Sequence, residues 1–333
     1  MSKLTTNLSI LFGLAILMLT GCEQDTTATL PQPGEEPAEV LFSARIAQVD
    51  ISTRTSTNYT SKDNFVTNDQ IGLFGWKNTI TDENQYLGNV KLVSNDGGLS
   101  LTADGQKIYF PVQTQTLQLC AYYPFSGTHT TGNHVNIQSE LETTSTGISD
   151  PLWGQTSVDK PTTSTPATAS FNMAHRMGRL KIYVYKDESV LTAYYLKSIK
   201  VEFYNQQIGS MNITNGQITA ANNTETPYTD DYTTELSTDA TALPQYDHTI
   251  LPAEAISANS AVKSITITIA SESEPGSPGN YVIYDATSGS PAIKPTNGGV
   301  TRINVKFNPT TLTSANINGW NSEETIINTP HAR

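Results

Sequence analysis

The residue with the most specific chemistry in this 333-residue chain is Cys22, which follows Leu19-Thr20-Gly21 at the end of an apolar segment. Lys3 supplies a short positive region, and residues 8–19 form an apolar run too short for the ~20 residues that a membrane-spanning helix needs. Small residues before a cysteine suit the peptidase that cleaves lipoprotein signal peptides. The sequence therefore predicts a lipoprotein signal peptide over 1–21. The alternative is an ordinary secretory signal with an incidental cysteine.

Lipidation at Cys22 would determine how the chain is attached to the membrane. Each buried CH₂ group contributes about 0.8 kcal/mol, so two or three acyl chains such as palmitate give lasting attachment. Residues 22–38 are rich in Thr, Pro and Glu without an apolar period, which predicts a flexible tether. We expect a surface-exposed protein, anchored by lipid at the cell outer membrane.

The remaining candidates for chemistry do not indicate an enzyme. Ser157-Val158-Asp159-Lys160 matches S-x-x-K, but it runs into Pro161, whereas a nucleophilic serine of that type opens a helix. The acidic pairs Asp230/Asp231 and Glu323/Glu324 lie in polar stretches and are expected to be solvated. The histidines have no metal-binding spacing, and no cofactor motif is present, so no metal or cofactor is expected. They are His129, His134, His175, His248 and His331.

Three tryptophans leave a binding function open. Trp76, Trp153 and Trp320 could form a platform on which sugars stack, but each lies beside a predicted strand, so burial in a core is favoured. A glycan-binding outer-membrane surface lipoprotein is therefore the alternative function, which exposed, coplanar tryptophans would support.

Charge and cysteine content limit the partners and the cross-links. The formal net charge is −12 and becomes one unit more negative without residues 1–21, which disfavours nucleic acid and anionic membrane surfaces as partners. With Cys22 lipidated, Cys120 has no partner for an intramolecular disulfide, and its strand-like surroundings predict a small core residue.

From Val40 onward, the chain reads as short strands separated by turn residues. Apolar and polar residues alternate with a period of two, for example in residues 180–185 and 199–204, which is typical of antiparallel sheets with one solvated face. Only residues 188–196 and 252–261 could form short helices. Residues 159–169 are either an interdomain link or a long loop.

The fold class predicted is all-β, with two tandem β-sandwich domains. The expected division is an N-terminal sandwich over 39–166, a C-terminal sandwich over 167–324, and a polar tail over 325–333.

Several short motifs, taken in order, resemble one family. They are Thr53-Arg54-Thr55-Ser56, Asp69-Gln70-Ile71-Gly72-Leu73-Phe74, Ala121-Tyr122-Tyr123-Pro124, Asp150-Pro151-Leu152-Trp153-Gly154, the run from Phe171 to Leu180, and Trp320. The chain resembles the fimbrillin family of Bacteroidetes, the Mfa-like branch of type V pilus subunits and their lipoprotein relatives. Glu23 and Asp25 similarly resemble the acidic export signal of surface lipoproteins in that group.

The resemblance implies transthyretin-like sandwich domains and a pilus subunit, tip or anchor. It also implies that an arginine-specific protease removes an N-terminal segment, and that a neighbouring pilus subunit then donates a strand to the vacated groove. A host or bacterial receptor would be a further, unidentified partner. His175, within the Phe171 motif, is expected to be a structural residue.

Residues 40–49 have the character of the removable strand. The alternation predicts that Phe42 and Ile46 point inward and Arg45 outward. Arg54, in a Ser/Thr-rich stretch, is the favoured cleavage site over Arg45, which lies inside the strand; both could be ordinary surface arginines. Residues 321–333 show no obvious extra donor strand, which favours a tip, anchor or terminator over a stalk subunit.

Overall fold

A computed structural model describes most of the chain beyond the tether. Described residues are 38–47, 64–97, 101–103, 106–142, 147–163, 165–239, 244–256, 260–271, 278–288, 290–309, 315–318 and 324–327. The predicted signal peptide, the tether, Cys22 and Arg54 lie outside these residues, and so does Trp320.

The first ten strands precede residue 176. They are β1 Val40–Ile46, β2 Gln70–Lys77, β3 Gln85–Ser94, β4 Leu101–Ala103, β5 Thr116–Tyr123, β6 Thr130–Thr131, β7 His134–Gln138, β8 Ile148–Ser149, β9 Leu152–Asp159 and β10 Ala167–His175.

Seven of these strands close into a barrel. Their order is β1-β10-β9-β5-β2-β3-β4, and β4 pairs back to β1. The β1–β10 pair is parallel and the others are antiparallel. Because β1 pairs on both sides, it joins the two edges of this unit into one closed sheet. The barrel encloses apolar residues from every one of its strands, including Ile71, Leu117 and Phe171.

The second half forms a sandwich, as the sequence predicts. The strands of the second half are β11 Gly178–Lys186, β12 Tyr194–Phe203, β13 Ile208–Asn212, β14 Gln217–Ala220, β15 Thr226–Glu235, β16 Tyr246–Ile250, β17 Val262–Ser271, β18 Gly279–Asp285, β19 Val300–Phe307, β20 Ala315–Asn318 and β21 Glu324–Ile327. All of them except β13 and β14 belong to the sandwich. One sheet has the order β16-β11-β19-β20-β21 and the other β15-β12-β17-β18. The inward residues of the two sheets, among them Ile182, Val201 and Ile303, form one core.

A fourth sheet joins the two halves. Its order is β14-β13-β7-β6, with β8 pairing to β7, so β7 of the first half lies beside β13 of the second. The sheet packs against the outer face of the barrel, where Trp76, Cys120 and Trp153 meet Met211 and Ile218. This arrangement buries both faces of β2 and explains why its sequence lacks alternation. A Cβ on Gly72 of β2 would lie 1.9 Å from the Tyr122 ring, so this close packing requires glycine.

The pairing of β10 changes the predicted division of the chain. β10 pairs with β1 and β9 of the barrel, so the residues between Asp159 and Ala167 connect two barrel strands. They form a loop within the first unit, which is the second of the two possibilities left by the sequence. The change of sheet occurs between His175 and Gly178, about ten residues beyond the expected boundary at 166.

Three local expectations also differ from the structure. The sequence offers residues 188–196 as a candidate helix, but they begin with a turn from Asp187 to Val190, continue without regular structure, and enter β12 at Tyr194. In the segment 252–261, of which residues 252–256 and 260–261 are described, the helical structure is the 3-10 turn Ala253–Ala255. Strand β21 occupies the beginning of the expected polar tail, because its backbone pairs with β20. Helical structure in the described residues is limited to this turn and two others, Asp82–Asn84 and Ala286–Ser288.

Candidate functional site: the first strand and its slot

Strand β1 fills a slot in the barrel wall. We define the slot as the gap between β10 on one side and β4 with residues 108–110 on the other. All seven residues of β1 are in parallel register with β10, from Val40 opposite Ala167 to Ile46 opposite Met173. On the other side, Phe42 is paired with Leu101 of β4, and Glu39 forms an isolated bridge with Tyr109.

The side chains of β1 alternate between the core and solvent. Val40, Phe42, Ala44 and Ile46 are buried at 3%, 6%, 4% and 8% relative exposure. Leu41 and Arg45 are exposed. This confirms the predicted faces, because a strand places successive side chains on opposite sides of the sheet.

Main-chain hydrogen bonds hold both ends of the strand. At its start, the Val40 amide donates to the Ile108 carbonyl at 2.8 Å, and the Ala167 amide donates to the Glu39 carbonyl at 2.9 Å. At its end, the Ala47 amide donates to the Met173 carbonyl at 2.6 Å. These bonds fix the register as well as the position of β1.

Side chains on the outer face add two contacts. The Ser43 and Ser170 hydroxyl oxygens lie 2.9 Å apart, between residues that are register partners. The Lys107 ammonium contacts the Glu39 carboxylate at 2.9 Å, and this hydrogen bond raises the Lys107 pKa. Lys107 is highly exposed, so the ion pair contributes little to stability.

Burial of β1 is large on the scale of protein stability. Full burial of a Val, Phe or Ile side chain contributes about 1.5–3 kcal/mol, so Val40, Phe42 and Ile46 together contribute about 5–9 kcal/mol as an upper estimate. Whole domains are stable by only about 5–15 kcal/mol. An emptied slot would therefore destabilise the barrel severely unless another strand filled it.

The arginine candidates differ in what the structure shows of them. Arg45 is exposed on β1, in register with Asn172 and paired through its backbone. Arg54 follows β1 by eight residues and lies outside the described residues, as does Cys22.

The two described tryptophans do not form a sugar-stacking platform. Trp76 is fully buried. Trp153 is 9% exposed, its indole N–H donates to the Ile213 carbonyl at 2.7 Å, and the Arg176 guanidinium lies 4.4 Å from its ring centroid. Both therefore occupy the core position that the sequence favoured, which removes the main support for a glycan-binding surface.

Other candidates from the sequence are structural or exposed. His175 is buried, with Nδ1 at 2.9 Å from the Asp150 carboxylate. Ser157 is exposed within β9 and does not open a helix. Cys120 is fully buried, and burial raises the pKa of its thiol to about 12.

Sequence reasoning missed one charged cluster. His248 Nε2 lies 2.6 Å from the Asp230 carboxylate, and its Nδ1 lies 3.3 Å from Glu140. Burial opposes a charged imidazole, but hydrogen bonds from its ring N–H groups to the two carboxylates outweigh this and raise the His248 pKa to about 9. Asp230, expected to be solvated, also accepts a hydrogen bond from the Tyr232 hydroxyl at 3.1 Å. One signal could have found the cluster: His248 lies two residues from the core residues Tyr246 and Ile250, and therefore shares their face of β16.

This cluster does not resemble a metal site. The two carboxylates contact opposite nitrogens of the same imidazole, so the potential ligands diverge rather than converge. No group of three or more His, Cys, Asp or Glu side chains among the described residues could hold a metal ion. No helix in this part of the chain is long and apolar enough to cross a membrane.

The all-β architecture and the sequence motifs define a family. A family model described as "Fimbrillin-like" matches residues 53–320, which is most of the chain. The chain belongs to this Fimbrillin-like family.

Individual relatives agree with this assignment. The chain is 28% identical over 194 residues to a Bacteroides uniformis protein named "Putative fimbrium subunit Fim1C". The match covers 58% of this chain and spans 60% of that relative's length.

Two crystal structures share the fold. One is the structure of a "putative cell adhesion protein" from Bacteroides uniformis, at 18% identity and a TM-score of 0.51, covering 88% of this chain and 98% of that one. Another, with the same description from Bacteroides ovatus, has 14% identity and a TM-score of 0.51, and covers 89% and 97%. At such low identity, the likeness concerns the fold alone.

Proposed function

We propose that this chain is a structural and adhesive component of a cell-surface fimbria, acting as a pilus subunit, tip or anchor. It is exported as a lipoprotein, with residues 1–21 removed and Cys22 acylated at the outer membrane. Residues 22–38 are the tether, and the two units that follow are transthyretin-like domains. Membership of the Fimbrillin-like family supports the proposal.

Assembly proceeds by strand exchange. A protease cuts after an arginine, β1 leaves with the lipid and the tether, and a strand from another pilus subunit enters the slot. The observation that carries this step is the position of β1: one strand near the N-terminus completes the barrel and supplies four buried side chains. Its replacement restores both the main-chain pairing and the apolar burial.

Arg54 is the better cleavage site. A cut there frees β1 whole. A cut at Arg45 would split the strand and leave the buried Ile46 in the slot. Arg45 is also held in a paired strand, whereas proteases act on backbone that can extend into their active site.

Variants at the two arginines test the proposal. The full precursor is expressed in a Bacteroidetes strain that assembles such fimbriae, as wild type, Arg54→Ala and Arg45→Ala. We expect surface protein that begins at residue 55 for the wild type and Arg45→Ala, and uncut protein for Arg54→Ala, by mass spectrometry of the N-termini. Wild-type protein that begins at acylated Cys22 in shear-released fimbriae would contradict processing.

A matched variant tests the anchor. Cys22→Ala should move the uncut Arg54→Ala chain from the outer-membrane fraction to a soluble fraction, because the acyl chains provide the attachment. Retention of that double variant in the membrane would contradict lipid anchoring at Cys22.

A further inference from the structure

We propose that the slot selects its incoming strand by the order of side-chain sizes. The occupant is a strand of another polypeptide that runs parallel to β10 and presents large, large, small and large apolar residues at alternate positions. The inference rests on the proposed function, because it requires β1 to leave.

The size order comes from the register with β10. Each inward residue of β1 is opposite an inward residue of β10, and all eight are buried. The four pairs are Val40 with Ala167, Phe42 with Ala169, Ala44 with Phe171, and Ile46 with Met173. In each of the two central pairs a phenylalanine faces an alanine. The phenylalanine belongs to β1 in the first of these pairs and to β10 in the second.

This alternation leaves little freedom at the centre of the slot. Close-packed interiors tolerate neither an added ring nor a missing one without cost. A large residue in the place of Ala44 would meet the Phe171 ring. A small residue in the place of Phe42 would leave a void above Ala169. Either change lowers the affinity of the strand for the slot. Exchanging the residues at positions 42 and 44 makes both changes while the amino-acid composition of the strand stays the same.

The direction and register of the occupant are equally restricted. The hydrogen bonds at Ala167 and Met173 require a parallel strand whose carbonyl and amide groups match those of Glu39 and Ala47. A slip by one residue would turn Leu41, Ser43 and Arg45 toward the core. The slot therefore selects an incoming strand by its sequence pattern as well as by its hydrophobicity.

One segment of this chain illustrates the restriction. Residues 315–321 present Ala315, Ile317, Gly319 and Asn321 at alternate positions. Asn321 would occupy the place of Ile46 and bury an amide without a partner, which is unfavourable. Residues 315–321 in this register therefore do not match the pattern that the slot requires of its occupant.

Peptide exchange tests the size order in the full mature chain. A specific protease site is placed between residues 48 and 63, the chain is cut under native conditions, and fluorescent peptides compete for the slot. The first peptide is residues 38–47. The second is the same peptide with Phe42 and Ala44 exchanged, and the third is residues 313–322.

We expect the exchanged peptide to bind at least about a hundredfold more weakly than the first, and the third to bind no better than the second. In a slot carrying Phe171→Ala, the exchanged peptide should regain affinity. Equal affinities of the first two peptides for the wild-type slot would overturn the size order, and so would tight binding of residues 313–322.

A second measurement separates this inference from strand release. The intact, uncut chain carrying F42A/A44F is compared with wild type by chemical denaturation. If no peptide displaces β1 and the double variant is strongly destabilised, the size order stands and strand exchange fails. If the double variant is as stable as wild type, the size order is wrong whether or not β1 can leave.

Discussion

Phe42 contributes its ring to the barrel core, while its neighbour Leu41 is 46% exposed. We predict that Phe42→Ala lowers the free energy of unfolding by about 3–5 kcal/mol, because it removes buried contacts and leaves a cavity. Leu41→Ala, the matched control one residue away, should change it by less than about 0.5 kcal/mol. Chemical denaturation of the two variants measures both effects, and equal losses would show that β1 is not seated as described.

His248 makes stability depend on pH. Its pKa of about 9 in the folded chain lies above the ordinary 6.5, so the folded state binds the proton more tightly than the unfolded state. The resulting stabilisation, up to about 3 kcal/mol, is fully present below about pH 6.5 and is lost as the pH rises through 9.

We therefore predict a larger decrease in denaturation midpoint between pH 6 and pH 9.5 for wild type than for His248→Gln. The groups that face the imidazole are Asp230, Glu140 and the Tyr246 ring. Parallel pH profiles for the two proteins would show that the imidazole is not charged in the fold.

The sequence predicts the buried orientation of Phe42 but not the charged partners of His248. Strict alternation of apolar side chains was sufficient to orient Phe42, because a strand's period of two is local. The partners of His248 come from positions 140 and 230, in stretches without a pattern, so only the pairing of distant strands brings them together.

Strands β7 and β13 link the barrel to the sandwich, since their five paired residues join segments about seventy positions apart. We predict that wild type unfolds in one calorimetric transition, and that Gly209→Val splits or broadens it. A Cβ at Gly209 would lie 2.5 Å from the Thr219 carbonyl oxygen and would disrupt the β13–β14 pair.

Gly127 provides the control for this variant. A Cβ there would meet nothing closer than 4.0 Å, so Gly127→Ala should keep the wild-type transition. Two resolved transitions in wild type would contradict the coupling of the halves through the shared sheet.

At the level of strands, the local sequence pattern predicts well that a segment forms a strand. It predicts poorly which other strand that segment pairs with. The sequence indicates β1, β11, β12, β17 and β19 through their alternation. It does not indicate that β1 pairs with β10 across more than a hundred residues, nor that β4 closes the barrel. The candidate helix at 188–196 also failed, because the tertiary pairing of β12 with β15 and β17 begins at Tyr194 and Tyr195.

Considered as a whole, the chain places the predicted lipidation motif, the predicted tether, one barrel strand and the proposed cleavage arginine in a single N-terminal segment. The slot that holds this strand relates these N-terminal features to the proposed assembly by strand exchange. Under the proposed function, anchoring and assembly are alternatives for one molecule, because loss of β1 would remove the lipid and open the barrel in the same step.

A disulfide lock tests this central claim most directly. Ser43 and Ser170 are register partners with hydroxyl oxygens 2.9 Å apart, so Ser43→Cys/Ser170→Cys can bridge β1 to β10. Cys120 is buried, and burial raises its thiol pKa to about 12, so it should not compete.

The measurement is the amount of shear-released fimbriae that contain the double variant, under oxidising and reducing conditions. We predict that the oxidised chain stays folded and does not enter fimbriae, and that reduction restores incorporation to the level of either single variant. Incorporation of the oxidised, cross-linked chain at the wild-type level would contradict the exchange of β1.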